Sequence, residues 1–216
     1  MLKTIFDFVT AAIGTCLLSP LFVATAVAIK IGDGGPVYFR QERVGKGGRV
    51  FKIWKFRTMV VDAERRGAQI TVGSDARITK VGHWLRKFKL DEMPQLFNVL
   101  CGEMSFVGPR PEVPRYVALY SDEQRDVLQL LPGITDPSSI KYRDESSLLA
   151  QHEDPERVYV ETVMPDKIHL NLQYAQRATV FTDIGTIFNT LLRVAVPVPI
   201  ESAQVASNDR SAKHAA

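Results

Sequence analysis

The sequence predicts an α+β fold that is mostly helical, with an N-terminal membrane helix, interfacial amphipathic helices and a small β-hairpin. Three observations support this: an uncharged apolar run near the N-terminus, two β-prone runs joined by glycines, and helical apolar periodicity further along the chain. The chain has 216 residues, of which 45% are hydrophobic and 24% are charged. This length and composition predict one folded unit with a core of its own.

The apolar run FVTAAIGTCLLSPLFVATAVAI occupies residues 8–29 and contains no charged residue. A helix of this length rises about 33 Å, enough to match the hydrocarbon core of a bilayer. The residues leave three interpretations open: a cleaved signal peptide, a spanning anchor, or a helix that proline breaks at Ser19-Pro20 and that returns to the same side. Because basic residues follow the run, the positive-inside rule places its C-terminal side in the cytoplasm but leaves the N-terminus undecided.

Positive charge is concentrated just after the apolar run. The net charge of the chain is only +3, yet residues 30–57 contain eight basic residues against Asp33 and Glu42. Such an excess favours phosphate, nucleic acid or an anionic membrane surface as a partner. Within this region, PVYFRQERV and RVFKIWKF are joined by GKGG and predict a hairpin. Its basic side chains either line a phosphate site or form a solvated edge.

Two later segments have the periodicity of amphipathic helices. ITKVGHWLRKFK, residues 78–89, places Val81, Trp84, Leu85 and Phe88 on one face, as a membrane-surface helix or an ordinary core-facing helix would. DIGTIFNTLLRV, residues 183–194, predicts a helix for the core or the membrane interface. Residues 196–216 are polar and rich in small side chains, which predicts a disordered tail.

KLDEMPQLFNVL, residues 89–100, places two acids, Asp91 and Glu92, side by side. Two carboxylates 4 Å apart repel by about 4 kcal/mol at an effective dielectric constant near 20, so either a cation lies beside them or they are exposed to water. Pro94 suits the first turn of a helix. The acids therefore either cap that helix or hold Mg²⁺ together with substrate phosphates.

MSFVGPRPE, residues 104–112, holds Arg110 between Pro109 and Pro111. Both prolines fix φ and disfavour helix, so the backbone on either side of the arginine is stiff and extended. A stiff loop suits bidentate phosphate recognition by the guanidinium. The same loop would also serve as a rigid connector whose arginine pairs with a surface acid.

The order of these motifs resembles one protein family. KFRTM, LDEMPQLFNVL, GEMSFVGPRPE and PGIT, after a Ser-Pro-interrupted apolar segment, are similar to the bacterial sugar transferases, which are monotopic polyprenyl-phosphate phosphoglycosyl transferases. The resemblance extends over about residues 3–193. It implies transfer of a phospho-sugar from a UDP-sugar to undecaprenyl phosphate, with release of UMP, through a covalent aspartyl intermediate and with Mg²⁺. The alternative is a catalytically silent membrane-surface scaffold that binds polyprenyl phosphate.

The resemblance also implies roles for individual residues. Asp91 corresponds to the nucleophile and Glu92 to its metal- or proton-handling partner, so both are expected to be Mg²⁺ ligands. The residues expected to bind substrate phosphate are Lys55, Arg57, Arg110 and Arg143. The segment that contains Arg143, residues 136–170, departs from the short Gly-Trp segment of many members and is expected to shape the sugar pocket.

The same resemblance implies a membrane topology. Residues 1–31 would form a re-entrant helix broken at Ser19-Pro20, which keeps both termini in the cytoplasm. Residues 32–195 would form the cytoplasmic transferase domain at the bacterial inner membrane. Membrane lipids and a second copy of the chain are the further partners expected, whereas nucleic acid is not, because no nucleic-acid-binding motif accompanies the basic region.

Overall fold

The computed structural model describes residues 2–63, 75–142 and 144–195. The helices are α1 (Leu2–Asp33), α2 (Lys80–Lys87), α3 (Leu96–Leu100), α4 (Pro114–Val117), α5 (Pro137–Lys141), α6 (Glu145–Leu149), α7 (Pro155–Val158), α8 (Met164–Ala175) and α9 (Val180–Ala195). The strands are β1 (Tyr38–Val44), β2 (Val50–Phe56), β3 (Ser105–Val107) and β4 (Gly133–Thr135). The mostly helical α+β prediction is confirmed. Arg143 and the predicted tail over residues 196–216 lie outside the described residues.

The predicted hairpin is confirmed. Strands β1 and β2 pair antiparallel from Tyr38 opposite Phe56 to Val44 opposite Val50. The connecting turn needs glycine, because Gly47 and Gly48 have φ angles of 66° and 77°. Phe51, Ile53 and Phe56 of β2 lie in a hydrophobic cluster that also contains residues of α1, α2 and α3. The hairpin is therefore attached firmly to the helical part of the molecule.

Helix α1 extends from Leu2 to Asp33 and includes Ser19 and Pro20, so the chain stays helical through this pair, and the predicted re-entrant break stays a prediction. Proline at position 20 has no N–H to donate to the carbonyl oxygen of Cys16, four residues earlier. The hydroxyl of Ser19 donates to that oxygen instead, at 2.8 Å. The serine thus replaces the bond that the proline removes, and the helix continues to Asp33.

Both ends of α1 contact the rest of the chain. Near the N-terminus, Lys3 forms an ion pair with Asp183 of α9, and the Asp7 carboxylate accepts a 2.8 Å hydrogen bond from the Ser105 hydroxyl. At the C-terminus, Asp33 forms an ion pair with Arg57. Between the ends, Phe22 packs edge-on against Phe97, with ring centroids 5.9 Å apart. Both ends of α1 are therefore held by the same folded unit.

Exposed apolar side chains are concentrated on three helices. Of the twenty large hydrophobic side chains that are exposed in the described part of the chain, fifteen belong to α1, α2 and α9, and a sixteenth, Phe88, directly follows α2. Among the described residues, α1 is also the helix that is long and apolar enough to cross a membrane, with a mean hydropathy of 2.1. The length and composition of α1 alone do not distinguish a membrane helix from a signal sequence, but the exposure of these three helices adds evidence of a membrane-facing surface.

Helix α9 buries polar residues and exposes apolar ones, which is the reverse of an ordinary surface helix. Its polar residues Asp183 and Thr186 are buried, whereas Ile184, Phe188 and Leu191 on its apolar face are exposed. The sequence left core and membrane interface open for this helix, and the structure favours the interface. The predicted apolar face of α2 is only partly buried. Leu85 is buried, whereas Trp84 and Phe88 are exposed, and the ring centroids of these two lie 5.1 Å apart.

Candidate active site

The two adjacent acids lie in a 3₁₀ turn, Leu90–Gln95, rather than at the start of an α-helix. The residue that precedes the turn is Lys89, which has a left-handed backbone with φ of 55°, and no side chain caps the turn. The interpretation of Asp91 as a helix cap is therefore wrong. A non-glycine residue in this backbone region is uncommon and is often found at functional sites.

Glu92 is neutralised by two cations. The Lys55 ammonium donates to Oε1 of Glu92 at 2.9 Å. The Arg110 guanidinium binds the same carboxylate in a bidentate manner, with Nη1 3.2 Å from Oε2 and Nη2 on Oε1. Burial acts to raise the pKa of Glu92, but Arg110 and Lys55 outweigh it and hold that pKa well below its usual value. The cations expected beside the acids are therefore Lys55 and Arg110.

Asp91 has the opposite environment. Its side chain is only 8% exposed, and its Oδ1 is buried without a hydrogen-bond partner in the described structure. Burial raises the pKa of Asp91, and the neighbouring charge of Glu92 raises it further. An oxygen with unused lone pairs and little solvation is suited to attack an electrophile or to bind a cation.

Arg110 reaches Glu92 because its loop is packed against strand β4 and the residues before it. The Gly133 N–H donates to the Pro109 carbonyl oxygen at 3.0 Å. A Cβ on Gly108 would lie 2.2 Å from the Leu131 carbonyl oxygen, and one on Gly133 would lie 2.1 Å from the Gly108 nitrogen. The glycines of VGPRP and PGIT therefore allow two backbones to meet at a distance that no other residue permits.

Arg57 lies apart from the two acids. Its side chain is 6% exposed and pairs with Asp33 at the end of α1, while its Nε and Nη1 have no hydrogen-bond partner in the described structure. The guanidinium lies against Gly35, where a Cβ would come within 2.1 Å of Nη1. Arg57 nevertheless lines the same cavity as Asp91 and Glu92, so its predicted role at a substrate phosphate stays a prediction.

The two acids face a cavity of about 700 Å³. Its lining contains eight basic and five acidic side chains among the described residues, an excess of three positive charges. The volume and charge suit an anionic ligand of the size of a nucleotide-sugar. The wall that contains Ser139, Tyr142, Glu145 and Lys167 comes from the segment predicted to shape a sugar pocket.

Asp91 is the acid of this site that is best placed to bind a Mg²⁺ ion, and the predicted role of Glu92 as a second ligand stays a prediction. In the part of the chain that the structure describes, no three His, Cys, Asp or Glu side chains lie close enough together to hold a metal. Glu92 already contacts two cations with its oxygens, but the unpartnered Oδ1 of Asp91 is a hard oxygen donor. Since Mg²⁺ is usually bound by one or two carboxylates together with substrate phosphates and water, Asp91 with a bound diphosphate fits the ion.

Two basic residues of the site were not predicted from the sequence. Arg43 of β1 lies beside Arg110 and is mostly shielded from water. Burial and repulsion from Arg110 lower the pKa of Arg43, and the attraction of Glu112 only partly offsets them. Arg86 of α2 lies near Asp91 and donates from Nε to the Thr58 hydroxyl at 2.9 Å. The sequence indicated only that both residues belong to basic segments, since a basic residue on a strand or helix is usually solvated.

The chain is similar to known proteins over most of its length. The family model described as bacterial sugar transferase matches residues 1–197. The chain is 37% identical to UDP-N-acetylgalactosamine-undecaprenyl-phosphate N-acetylgalactosaminephosphotransferase of Aeromonas hydrophila, over 88% of this chain and 43% of that protein. It is 34% identical to UDP-glucose:undecaprenyl-phosphate glucose-1-phosphate transferase of Escherichia coli (strain K12), over 89% of this chain and 40% of that protein.

A shorter relative is covered more fully. The chain is 34% identical to the exopolysaccharide production protein ExoY of Rhizobium meliloti (strain 1021), over 91% of this chain and 86% of that protein. The chain thus spans less than half of the length of the first two relatives and most of the length of the third.

Proposed function

The chain belongs to the bacterial sugar transferase family, and we propose that it transfers a phospho-sugar from a UDP-sugar to undecaprenyl phosphate. The products are undecaprenyl diphosphate-sugar and UMP. Two of the relatives are named for transfer of a sugar phosphate to undecaprenyl phosphate, and a third for exopolysaccharide production. The reaction would be the first membrane step in the assembly of a surface glycan.

The observation that carries the proposal is the unequal state of the two acids. Glu92 is bound to Lys55 and Arg110, whereas Asp91 lines the cavity with an oxygen that has no partner in the described structure. A carboxylate that is desolvated and unpaired is a better nucleophile than one in two ion pairs. Asp91 is therefore the nucleophile of the proposed reaction, and Glu92 holds the cations in place.

The reaction proceeds in two displacements at one phosphorus atom. An oxygen of Asp91 attacks the phosphorus that bears the sugar, the bond to the UMP oxygen breaks, and UMP leaves with the electron pair. An oxygen of undecaprenyl phosphate then attacks the same phosphorus, the acyl phosphate bond breaks, and the Asp91 carboxylate is regenerated. Two steps allow one cavity to serve a water-soluble donor and a membrane-bound acceptor in turn.

The basic side chains supply the electrostatic part of catalysis. Phosphoryl transfer spreads negative charge over the phosphoryl oxygens and depends mainly on positioned cations. Lys55 and Arg110 lie on the Glu92 side of Asp91, and Arg57 lines the cavity at the end of α1. Bound Mg²⁺, held by Asp91 and the diphosphate of the donor, would supply further charge neutralisation at the transferred group.

An adduct experiment tests the nucleophile. Intact-protein mass spectrometry after mixing with a UDP-sugar and Mg²⁺, without lipid acceptor, should show a phospho-sugar adduct on the unaltered chain. Asp91→Asn retains the shape of the side chain but removes its nucleophilicity, so no adduct and essentially no turnover are expected. An adduct on folded Asp91→Asn would place the nucleophile elsewhere.

A second measurement separates the enzyme from a silent scaffold. Release of UMP across a panel of UDP-sugars, in the presence of undecaprenyl phosphate, is expected for at least one donor and would identify the sugar. Binding of undecaprenyl phosphate without UMP release from any donor would favour the scaffold.

The proposed topology is monotopic at the inner membrane, with the cavity facing the cytoplasm. Contacts at both ends of α1 with the same folded unit support placement of both termini on one side. Tags at Met1 and Ala216 should both be protected from an impermeant reagent in intact cells. Labelling of the Met1 tag alone would show instead that α1 spans the membrane.

A further inference from the structure

Residues 109–112 have few backbone groups with which to hold Arg110 in place. Pro109 and Pro111 have no N–H, so their backbone can be anchored only through carbonyl oxygens. One of these, the Pro109 oxygen, accepts from Gly133 at 3.0 Å. The other, the Pro111 oxygen, accepts from Nη1 of Arg43 at 3.1 Å. The arginine of β1 therefore holds the segment on the side opposite β4.

Glu112 joins this segment to two other parts of the molecule. Its backbone oxygen accepts from the Val44 N–H at 2.9 Å, which ties it to β1. Its carboxylate lies 3.4 Å from Nη1 of Arg43 and accepts a hydrogen bond from the Tyr159 hydroxyl. The side chains of Arg43 and Glu112 are each 16% exposed, so this ion pair is mostly shielded from water.

Tyr159 is presented to Glu112 by an unusual turn. It is the first residue of a π-helical turn, Tyr159–Val163, of a type often found at functional sites. Its ring is 4% exposed and packs against Tyr116 with a centroid distance of 5.1 Å. Burial, followed by the charge of Glu112, raises the pKa of Tyr159 well above its usual value, so the hydroxyl stays a donor at neutral pH.

Glu112 also affects how Arg43 and Arg110 share the carboxylate of Glu92. Arg43 and Arg110 are close enough to repel each other, and Glu92 attracts both of them. The ion pair with Glu112 gives Arg43 a carboxylate of its own. Arg110 is then left as the arginine that binds Glu92 in a bidentate manner.

We propose that Glu112 is a positioning residue for the phosphoryl transfer: bonded to Arg43 and Tyr159, it holds residues 109–112 so that Arg110 stays on Glu92 beside the nucleophile. It acts through Arg110 and does not itself touch the reacting atoms. The proposal rests on the proposed function, because its effect is on the rate at which Asp91 forms the adduct.

A double-mutant cycle tests this role. The rate constant and the amplitude of adduct formation are measured at saturating UDP-sugar with Mg²⁺, for Glu112→Gln, for Arg110→Ala and for the double variant. Glu112→Gln should slow adduct formation about tenfold on its own but less than about twofold in the Arg110→Ala background. The amplitude, which reports the folded fraction, and KM for the donor should stay nearly unchanged. A merely structural role would lower the amplitude and leave the rate constant intact.

Tyr159→Phe provides a milder variant, since it removes one hydroxyl and keeps the ring. It should slow adduct formation a few-fold, again only when Arg110 is present. The matched control is Tyr120→Phe, because Tyr120 is a buried tyrosine of the same hydrophobic cluster that is not hydrogen-bonded to Glu112. This variant should form the adduct at the rate of the unaltered chain. If Glu112→Gln slows adduct formation equally with and without Arg110, or slows it in neither case, the role of Glu112 is contradicted and the proposed function is not. Failure of the unaltered chain to form an adduct overturns the proposed function as well.

Discussion

Asp91 and Glu92 are neighbours in sequence, yet the fold gives their carboxylates opposite electrostatic environments. Burial and then the Glu92 charge raise the pKa of Asp91, while Arg110 and Lys55 outweigh burial and lower the pKa of Glu92. Two interacting acids whose pKa values are separated in this way are typical of sites where one group reacts and the other organises charge. The separation arises because both cations bind Glu92 and neither donates to Asp91.

The two acids should therefore have opposite effects on stability. A raised pKa in the folded state means that ionised Asp91 destabilises the fold, and this cost is present above its folded pKa. In the absence of Mg²⁺ and substrate, Asp91→Asn should increase the unfolding free energy at pH 7 by about 1 kcal/mol, or about 2–4 °C in Tm. The gain should disappear as the pH falls through the folded pKa of Asp91.

Glu92→Gln is the matched comparison. Because the folded pKa of Glu92 is lowered, its ionised form stabilises the fold above its unfolded pKa, and that contribution is lost as the pH falls through the folded pKa. The substitution should cost about 2 kcal/mol at pH 7, since it leaves Lys55 and Arg110, whose side chains are 17% and 35% exposed, without their carboxylate. Thermal unfolding of both variants against pH is the measurement, and a gain for both or a loss for both would contradict this account.

At the scale of elements, α2 and the residues after β2 meet through a glycine. A Cβ on Gly82 would lie 2.0 Å from the Thr58 carbonyl oxygen, a backbone atom that cannot rotate away. The same Thr58 oxygen accepts from the Thr79 N–H at 2.9 Å, and the Thr79 hydroxyl caps α2 by accepting from the Gly82 N–H. This contact sets the position of α2, and with it Arg86, relative to the cavity.

Two Gly→Ala substitutions should therefore change the unfolding free energy in opposite directions. Gly82→Ala should destabilise the protein by about 1–3 kcal/mol, because α2 would have to move away from Thr58. Gly185→Ala in α9 meets no atom within 4 Å and should stabilise by about 0.5–1 kcal/mol through the better helix propensity of alanine. Chemical denaturation of both variants in the same detergent checks this, and equal effects would show that the contact at Thr58 is not tight.

At the scale of the whole molecule, polar groups turn inward and apolar groups outward on the helices that would contact a membrane. Asp7 and Asp183 are buried, whereas Ile5, Phe8 and Phe188 are exposed. In water such a surface would be unfavourable, since exposed apolar area costs about 25 cal/mol per Å². Against a bilayer the same arrangement is stabilising, because the lipid accepts the apolar side chains and the protein interior satisfies the polar ones.

A charge on this surface should weaken membrane binding, and the same charge elsewhere should not. Phe188 of α9 and Leu119, which lies outside α1, α2 and α9, are similarly exposed, at 59% and 55%. Phe188→Glu should reduce partitioning to anionic vesicles several-fold, since a carboxylate would enter the bilayer interface and be repelled by anionic lipid. Leu119→Glu should leave partitioning unchanged in the same flotation assay. An equal loss for both would show that α9 does not face the lipid.

The sequence by itself determined the elements whose pattern is local. The hairpin followed from alternating strand residues around glycines, α2 and α9 from apolar periodicity, and the apolar character of α1 from composition. These elements depend on backbone preferences and on neighbours in the chain, so a single sequence reports them. The roles of Asp91, Glu92 and Arg110 were implied only by the resemblance to the family, since the local chemistry left helix capping and a rigid connector open.

Only the tertiary structure decided which groups become partners. The Cys16 carbonyl oxygen, which Pro20 leaves without a backbone donor, accepts from Ser19, and α9 turns its polar face inward because Lys3, 180 residues away, pairs with Asp183. Lys55 and Arg110 bind Glu92 rather than Asp91, and Arg57 pairs with Asp33. In each case several polar or charged groups have similar surroundings in the sequence. Burial and distance decide which of them become partners, and both arise only when distant segments pack together.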